Sequence, residues 1–191
     1  TTRRKIMENY PRTIILKDST ECLFRPVEAE DREAVSDFFT RVDPGDLWVL
    51  NRDYSKPEAV NYFFQCLNPA ENIHILAISD GKIIGMGSIQ FTAFGARKHI
   101  GDVLILIDRN TKQKRLGSWI MLELISIASS LGLEILKIEL VAGKDDAAIV
   151  ASRRVNFIPQ GTLKNFLQDR NGRWLDLIIL IKEIHESWSD Y

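Results

Sequence analysis

The stretch Val103 to Gly117 constrains this chain more than any other. Five branched aliphatics in a row, Val103 to Ile107, predict a strand buried on both faces. Leu116, Ile120, Leu124, Ile127 and Leu131 recur at helical spacing behind it. Between them lies a short polar loop that ends in Lys112, Gln113, Lys114 and Arg115. A strand that feeds a long apolar helix through a cationic loop belongs to an α/β architecture. The backbone N–H groups of the helix start, the positive end of its dipole and three cationic side chains together suit a phosphate or pyrophosphate.

The local cluster matters because the chain as a whole carries almost no field. Net charge is -1 over 191 residues, which argues against a basic surface for nucleic acid or an anionic membrane. With 45% hydrophobic residues the length suits one globular domain, expected over residues 10–183, with an extension at 1–9 and a tail at 184–191. Cys22 and Cys66 have no paired spacing and the histidines form no metal pattern, so neither a disulfide framework nor a metal site is expected. No apolar run reaches the roughly 20 residues of a membrane span, and the expected location is the cytoplasm.

Periodicity and turn residues order the remaining elements. Thr13 to Leu16 and Glu21 to Arg25 read as an opening hairpin around Lys17 to Thr20. Glu28 to Thr40 reads as a helix with Ala34, Val35, Phe38 and Phe39 inward, broken afterwards by Asp43-Pro44-Gly45-Asp46. Ser55-Lys56-Pro57-Glu58 has the spacing of a capping box before Val60, Phe63, Phe64 and Leu67. Ile73 to Ile78 and Lys82 to Phe91 flank the turn Asp80-Gly81, with Gly85 and Gly87 thinning the second strand. After His99 to Ile107 and the helix stopped by Gly132 come a strand at Ile135 to Val141 and a short helix at Asp145 to Val155. Gly161 to Gln168 and Trp174 to Lys182 close the order around Asn171-Gly172. The expectation is a mixed, mostly antiparallel central sheet flanked by helices.

This order, with the loop, resembles the GNAT superfamily of acyl-CoA-dependent N-acyltransferases. That family has a pyrophosphate loop of the form Q/R-x-x-G-x-G/A, with an aliphatic residue five positions before it. Here Ile107 is the aliphatic, Lys112 takes the Q/R place, Arg115 the first glycine and Gly117 the last. Further on, the family's Asn, Ala-Ile, aromatic general acid and Gly-Phe fall on Asp146, Ala148-Ile149, Ser152 and Asn156-Phe157. Tyr10-Pro11-Arg12 through Phe24-Arg25-Pro26-Val27, with Gln168 to Arg173 near the end, look like a branch with an added N-terminal hairpin.

The resemblance implies an acetyltransferase that moves an acetyl group from acetyl-CoA directly to a primary amine of a small molecule or a protein, with no metal. It implies that the backbone of Leu106 and Ile107 meets the pantetheine. Lys112, Gln113, Lys114, Arg115, Leu116, Gly117 and Ser118 would meet the phosphates, and Asp146 would contact the cofactor unless it caps its helix. Members of the superfamily are often dimers, so a homodimer is compatible. For the base that takes the amine proton, Asp102 stands first and His99 second, since an imidazole titrates near 6.5. The competing expectation, suggested by the departures at Arg115, Ser152 and Asn156, is a degenerate module that binds CoA or a protein partner without catalysis.

Overall fold

A computed structural model describes residues 9–111 and 115–184; Lys112, Gln113 and Lys114, the first eight residues and the tail from 185 lie outside them. The strands are β1 (Arg12–Ile15), β2 (Glu21–Pro26), β3 (Asn72–Ser79), β4 (Lys82–Gln90), β5 (Ile100–Ile107), β6 (Ile135–Val141), β7 (Ile158–Gln168) and β8 (Trp174–Glu183). The helices are α1 (Arg32–Arg41), α2 (Pro44–Trp48), α3 (Pro57–Gln65), α4 (Leu116–Ser130) and α5 (Asp146–Arg154), with a 3-10 turn at Ala29–Asp31 before α1. The eight strands form one sheet in the order β1-β2-β3-β4-β5-β6-β8-β7. Every adjacent pair is antiparallel except β5 and β6. Among the described residues no helix is long and apolar enough to cross a membrane.

The unbroken aliphatic run of β5 follows from its place between two cores. Val103, Ile105 and Ile107 face a core built with Leu116, Ile120, Leu124 and Ile127 of α4, while Leu104 and Leu106 face a second core made with Phe38, Phe39, Phe63 and Phe64 of α1 and α3. Side chains alternate across a strand, so the part of β5 covered on both sides, Val103 to Ile107, has no position for a polar residue. Gly85 and Gly87 on β4 have a steric reason: a Cβ at Gly85 would lie 2.8 Å from Ile120 Cδ1, and one at Gly87 would collide with Ile120 Cγ2. The two glycines let α4 settle directly onto the sheet.

The added hairpin is fastened to α4 through a buried carboxylate. Glu123 accepts hydrogen bonds from Tyr10 Oη at 2.5 Å and from Arg12 at 3.1 and 3.2 Å. Burial and the neighbouring Glu123 push the Tyr10 phenol well above its ordinary pKa.

Several local expectations need correction. Asp43-Pro44-Gly45-Asp46 does break the first helix, but it then opens the one-turn helix α2, with the Asp43 carboxylate accepting from Gly45 N–H at 2.8 Å. The capping box at Ser55 does not form: Lys56 is the N-cap of α3, and Ser55 Oγ instead donates to Asp53. The first predicted helix starts as a 3-10 turn, in which Asp31 accepts from Glu28 N–H and ion-pairs with Arg25 at 2.6 Å. Asp80-Gly81 is the two-residue turn expected, with both residues at positive φ. Around Asn171-Gly172 the turn is longer, because Asp169 takes over: its carboxylate accepts from the N–H groups of Asn171 and Arg173.

Replacing Gly87 with alanine should lower stability by about 1 to 3 kcal/mol, because the methyl group forces α4 off the sheet. Urea unfolding followed by circular dichroism should show the midpoint fall at an unchanged slope.

Candidate active site

The site begins where β5 leaves β6. The two parallel strands pair only from Ile100↔Ile135 to Val103↔Ile138, although β5 runs on to Ile107 and β6 to Val141. Beyond that point β5 stays bonded to β4, with Gly85 opposite Ile107, and β6 to β8, with Val141 opposite Leu177. Two strand edges therefore face each other across a gap that opens toward the C-terminal ends of both strands. Backbone groups along such edges need partners, and an extended amide-bearing ligand can supply them.

At the open end, α4 starts beside β5. A Cβ on Gly117 would lie 3.1 Å from Ile107 Cδ1, so the last residue of the loop motif allows the first turn of the helix to approach the strand end. Arg115 is the N-cap of α4 and sits in the left-handed region at φ 60°, ψ 17°. This is a conformation that glycine adopts freely, and an arginine holds it at a cost. Its carbonyl accepts from Ser118 N–H at 3.1 Å, starting the helix. The residue aligned with the family's first glycine thus keeps a glycine-like backbone.

Asp108 and Arg41 hold the start of the same loop, and sequence reasoning did not single them out. Asp108 is buried, ion-pairs with Arg41 Nε at 3.0 Å and accepts from Asn110 N–H at 2.8 Å, and Arg41 also donates to the Ile83 carbonyl at 2.7 Å. The available signal was an acid placed directly after an apolar strand, where an Asx turn can begin.

On the other bank, Asp145 is the N-cap of α5 and Asp146 is its first residue. Asp146 therefore does not cap the helix; its carboxylate accepts from Gly143 N–H at 2.9 Å and braces the preceding turn, while Asp145 accepts from Val141 N–H at 2.7 Å. Ser152 is 1% exposed, and its hydroxyl has no hydrogen-bond partner among the described residues. An unsatisfied buried hydroxyl costs about 1 to 3 kcal/mol. The α5 helix ends on Asn156 at φ 65°, with Phe157 N–H donating to the Ser152 carbonyl and Asn156 N–H to that of Arg153. These are the two bonds of a Schellman end, and Asn is among the few residues that tolerate its left-handed position. Phe157 is carried into the first core.

At the closed end of the gap, a cavity of about 410 Å³ is lined by Gln90, Thr92, Arg97, Asp102 and Lys137, with Phe91 and Ile100. Asp102 is opposite Gln90 on one side and Lys137 on the other, one register step before the strands part. Its carboxylate pairs with Lys137 Nζ at 3.0 Å, and Lys137 also meets Glu139 at 2.8 Å. Burial works against the Lys137 charge, but the hydrogen bonds and charges of Glu139 and Asp102 outweigh it and raise its pKa. His99 does not line this cavity; it lies just before β5, where its carbonyl accepts from the N–H groups of Glu134 and Ile135 and pins the start of β6. The backbone of Leu106 and Ile107 lies along the gap at its open end.

A different histidine lies nearby. His74 on β3 is edge-on to Phe63, with ring centroids 4.7 Å apart, and its Nδ1 is 2.7 Å from Ser88 Oγ. Burial drives its pKa down to about 4, so it is neutral in the fold at neutral pH.

A mixed sheet whose one parallel pair parts beside a helix start is the architecture of the acyl-CoA acyltransferases, and solved structures carry the same fold. A putative acetyltransferase, yncA, from Salmonella typhimurium, solved with acetyl-CoA, matches with a TM-score of 0.74 at 15% identity over 89% of this chain and 98% of that one. A phosphinothricin acetyltransferase from Sinorhizobium meliloti, solved in complex with acetyl-CoA, matches with a TM-score of 0.72 at 18% identity over 89% and 92%. The chain belongs to the acetyltransferase (GNAT) family, whose model matches residues 27–157. It is also 25% identical over 144 residues, 69% of this chain and 88% of the relative, to the L-amino acid N-acetyltransferase AaaT of Escherichia coli strain K12.

Two outcomes follow from this geometry. Arg115→Gly should stabilise the protein by about 1 kcal/mol through release of the left-handed strain, whereas Arg115→Ala should bring no such gain; urea titration distinguishes the two. His74 has a folded pKa of about 4 against an ordinary 6.5, so the unfolded chain binds the extra proton between those values. Stability from this group is complete above pH 6.5 and falls by about 3 kcal/mol as pH drops to 4. His74→Gln should lose that part of the acid dependence, as read from urea midpoints across the window.

Proposed function

We propose that the protein transfers an acetyl group from acetyl-CoA directly to a primary amine, with the donor in the β5–β6 gap and the acceptor at its Asp102 end. The observation that carries this reading is the parting of β5 and β6 after Val103 and Ile138, next to the start of α4. Acetyl-CoA supplies the activated thioester. The residues present fit it: two strand edges face an extended arm, Gly117 and the left-handed Arg115 shape a helix start for the pyrophosphate, and the Ser152 hydroxyl lacks a partner. Leu106 and Ile107 would bond the pantetheine amides through their backbone. Gln113 to Ser118 would meet the phosphates, with Lys112, Lys114 and Arg115 adding charge.

Three residues of strand span about 10 Å, so an arm laid along Ile107 brings its thioester near Leu104, two residues from Asp102. There the amine nitrogen attacks the carbonyl carbon, the new C–N bond forms as the C–S bond breaks, and the sulfur departs with the bonding pair. Asp102, directly or through water, takes the proton that the nitrogen sheds. The departing sulfur takes one from water. Lys137 positions the Asp102 carboxylate, and the charged pair lets an acceptor ammonium exchange places with the lysine. His99, which is not among the residues lining the cavity, takes second place for the role of base. The name of the AaaT relative favours a free amino acid as acceptor, and Arg97 and Lys137 offer charges for its carboxylate.

A calorimetric titration with acetyl-CoA, coupled to thiol release with a panel of amines, tests the reading. We expect binding, and a loss of about 1 to 3 kcal/mol when Lys112 and Arg115 are replaced by alanine. Asp102→Asn should lower kcat by about 10² to 10⁴ while leaving acetyl-CoA affinity unchanged. Binding without thiol release from any amine would instead favour the CoA-binding module.

A further inference from the structure

The helix α4 runs for 15 residues with a single charge, and that charge is buried. Leu116, Ile120, Glu123 and Ile127 follow one another at helical spacing on its inward side, so a carboxylate stands where the pattern calls for an aliphatic. Glu123 is 8% exposed. Fold stability gives no reason for it: taking a carboxylate out of water is costly, and well-packed apolar residues in place of a buried ion pair are commonly neutral or stabilising. Both of its oxygens are nevertheless engaged. Oε1 accepts from Tyr10 Oη at 2.5 Å, and Arg12 Nη1 reaches Oε1 at 3.2 Å and Oε2 at 3.1 Å. The donors come from the added hairpin, 113 and 111 residues back in the chain.

The donors are themselves fixed to the sheet. Tyr10 packs against the first core, and Arg12 stands opposite Phe24 of β2, which is 1% exposed in that core. Burial and the adjoining Glu123 raise the Tyr10 pKa, so the phenol remains a donor throughout the neutral range. α4 needs such a hold lengthwise. Gly85 and Gly87 set its height above β4 but have no Cβ against which the helix could be keyed along its axis. Apolar burial is non-directional, whereas charge-assisted hydrogen bonds to both oxygens admit one geometry. Glu123 lies about two turns from Arg115, so a slide or a rotation of the helix at Glu123 arrives undiminished at its first N–H groups.

We infer that Tyr10, Arg12 and Glu123 are positioning residues for donor binding: the hairpin fixes α4 along and about its axis, and so sets where the helix start stands relative to the end of β5. The inference rests on the acetyl-CoA site of the reading above and does not depend on the acceptor. The group it serves is the pyrophosphate of the donor, which a helix start holds through N–H groups whose direction matters. The three residues touch neither donor nor acceptor. The strand edges proposed for the pantetheine are held by β4 and β8, and Asp102 lies on β5 before the strands part. Loss of the anchor therefore reaches the phosphates and leaves the chemistry at the thioester in place.

The test compares the whole protein with Tyr10→Phe/Glu123→Leu and with Tyr10→Phe alone, by calorimetric titration with acetyl-CoA, by kinetics with the amine panel and by urea unfolding. The double variant removes the carboxylate and the phenol together and leaves Arg12, whose side chain is half-exposed, to turn to water. Expected is a rise of about tenfold in the Kd and the KM for acetyl-CoA, the scale of an anion contact at a helix terminus. The kcat and the KM for the amine should hold, and the urea midpoint should hold or rise. Tyr10→Phe keeps the Arg12 pair and should shift the same two constants by about threefold; it carries the test where the double variant does not fold. An unchanged Kd for acetyl-CoA in a folded variant, or a fall in kcat and urea midpoint alongside a weaker Kd, overturns the positioning role and leaves the enzyme intact. Failure of the starting protein to bind acetyl-CoA overturns the acetyltransferase reading itself, and the anchor's role with it.

Discussion

β5 and β6 pair for four residues and then separate, and the other features of the site are arranged around that separation. A parallel pair in the middle of a sheet would ordinarily continue to the ends of its strands, because each unpaired backbone group forfeits a hydrogen bond. Here each strand is held from its outer side instead, β5 by β4 and β6 by β8, so the parting leaves the rest of the ladder undisturbed. The gap also needs stiff walls. Those come from the two cores, which grip the alternating side chains of β5 from opposite faces. Gly85 and Gly87 bring α4 onto the sheet, and with it the helix start that faces the open end.

Conformation has outlasted residue identity at this site. Arg115 and Asn156 replace glycines of the family pattern, and both sit at positive φ. A substitution that had also changed the backbone would have moved the first turn of α4 or the end of α5, and with them Gly117 and Phe157. The left-handed cost at Arg115 is about 1 to 2 kcal/mol, small against the packing of Leu116 and Ile120 that fixes the helix. The surrounding structure over-determines the loop end, so an unfavourable residue is carried along. The departures at these two positions are therefore weak grounds for regarding the site as degenerate. Ser152 differs in kind, since it changes the chemistry offered and not the path of the chain.

Most of the fold was legible because period and turn chemistry agreed. Ile135–Val141 appears with the bounds its aliphatic pattern implied, and Gly132 ends α4 through a left-handed cap. The misreadings share a cause: short polar side chains had several backbone partners to choose from. Asp43 capped a helix where only a break was foreseen, Asp145 took the N-cap position expected of Asp146 while its carboxylate turned back to Val141 N–H, and Asp169 built the last turn around Asn171-Gly172. Such contests are decided by distances that spacing does not encode. For the same reason Arg41 and Asp108 were invisible as parts of the site, because the two partners are 67 residues apart in the chain. Asp102 could be placed on the right strand, but its pairing with Lys137 depends on the register of two parallel strands.

That pairing bears on the base role proposed for Asp102. In the fold, Lys137 Nζ occupies the Asp102 carboxylate at 3.0 Å. Lys137 is also held by Glu139, however, so under the proposed reaction an arriving ammonium would displace it from Asp102 without leaving it unpaired. Under the proposed reaction the acceptor would enter as the ion and lose a proton before attack, and displacement of the lysine would put its N–H on the carboxylate. A second acid next to the lysine thus turns an apparently structural ion pair into one that can be exchanged. The distinction rests on Glu139, which stands two residues along β6 on the same face of the sheet, where the strand has already left β5.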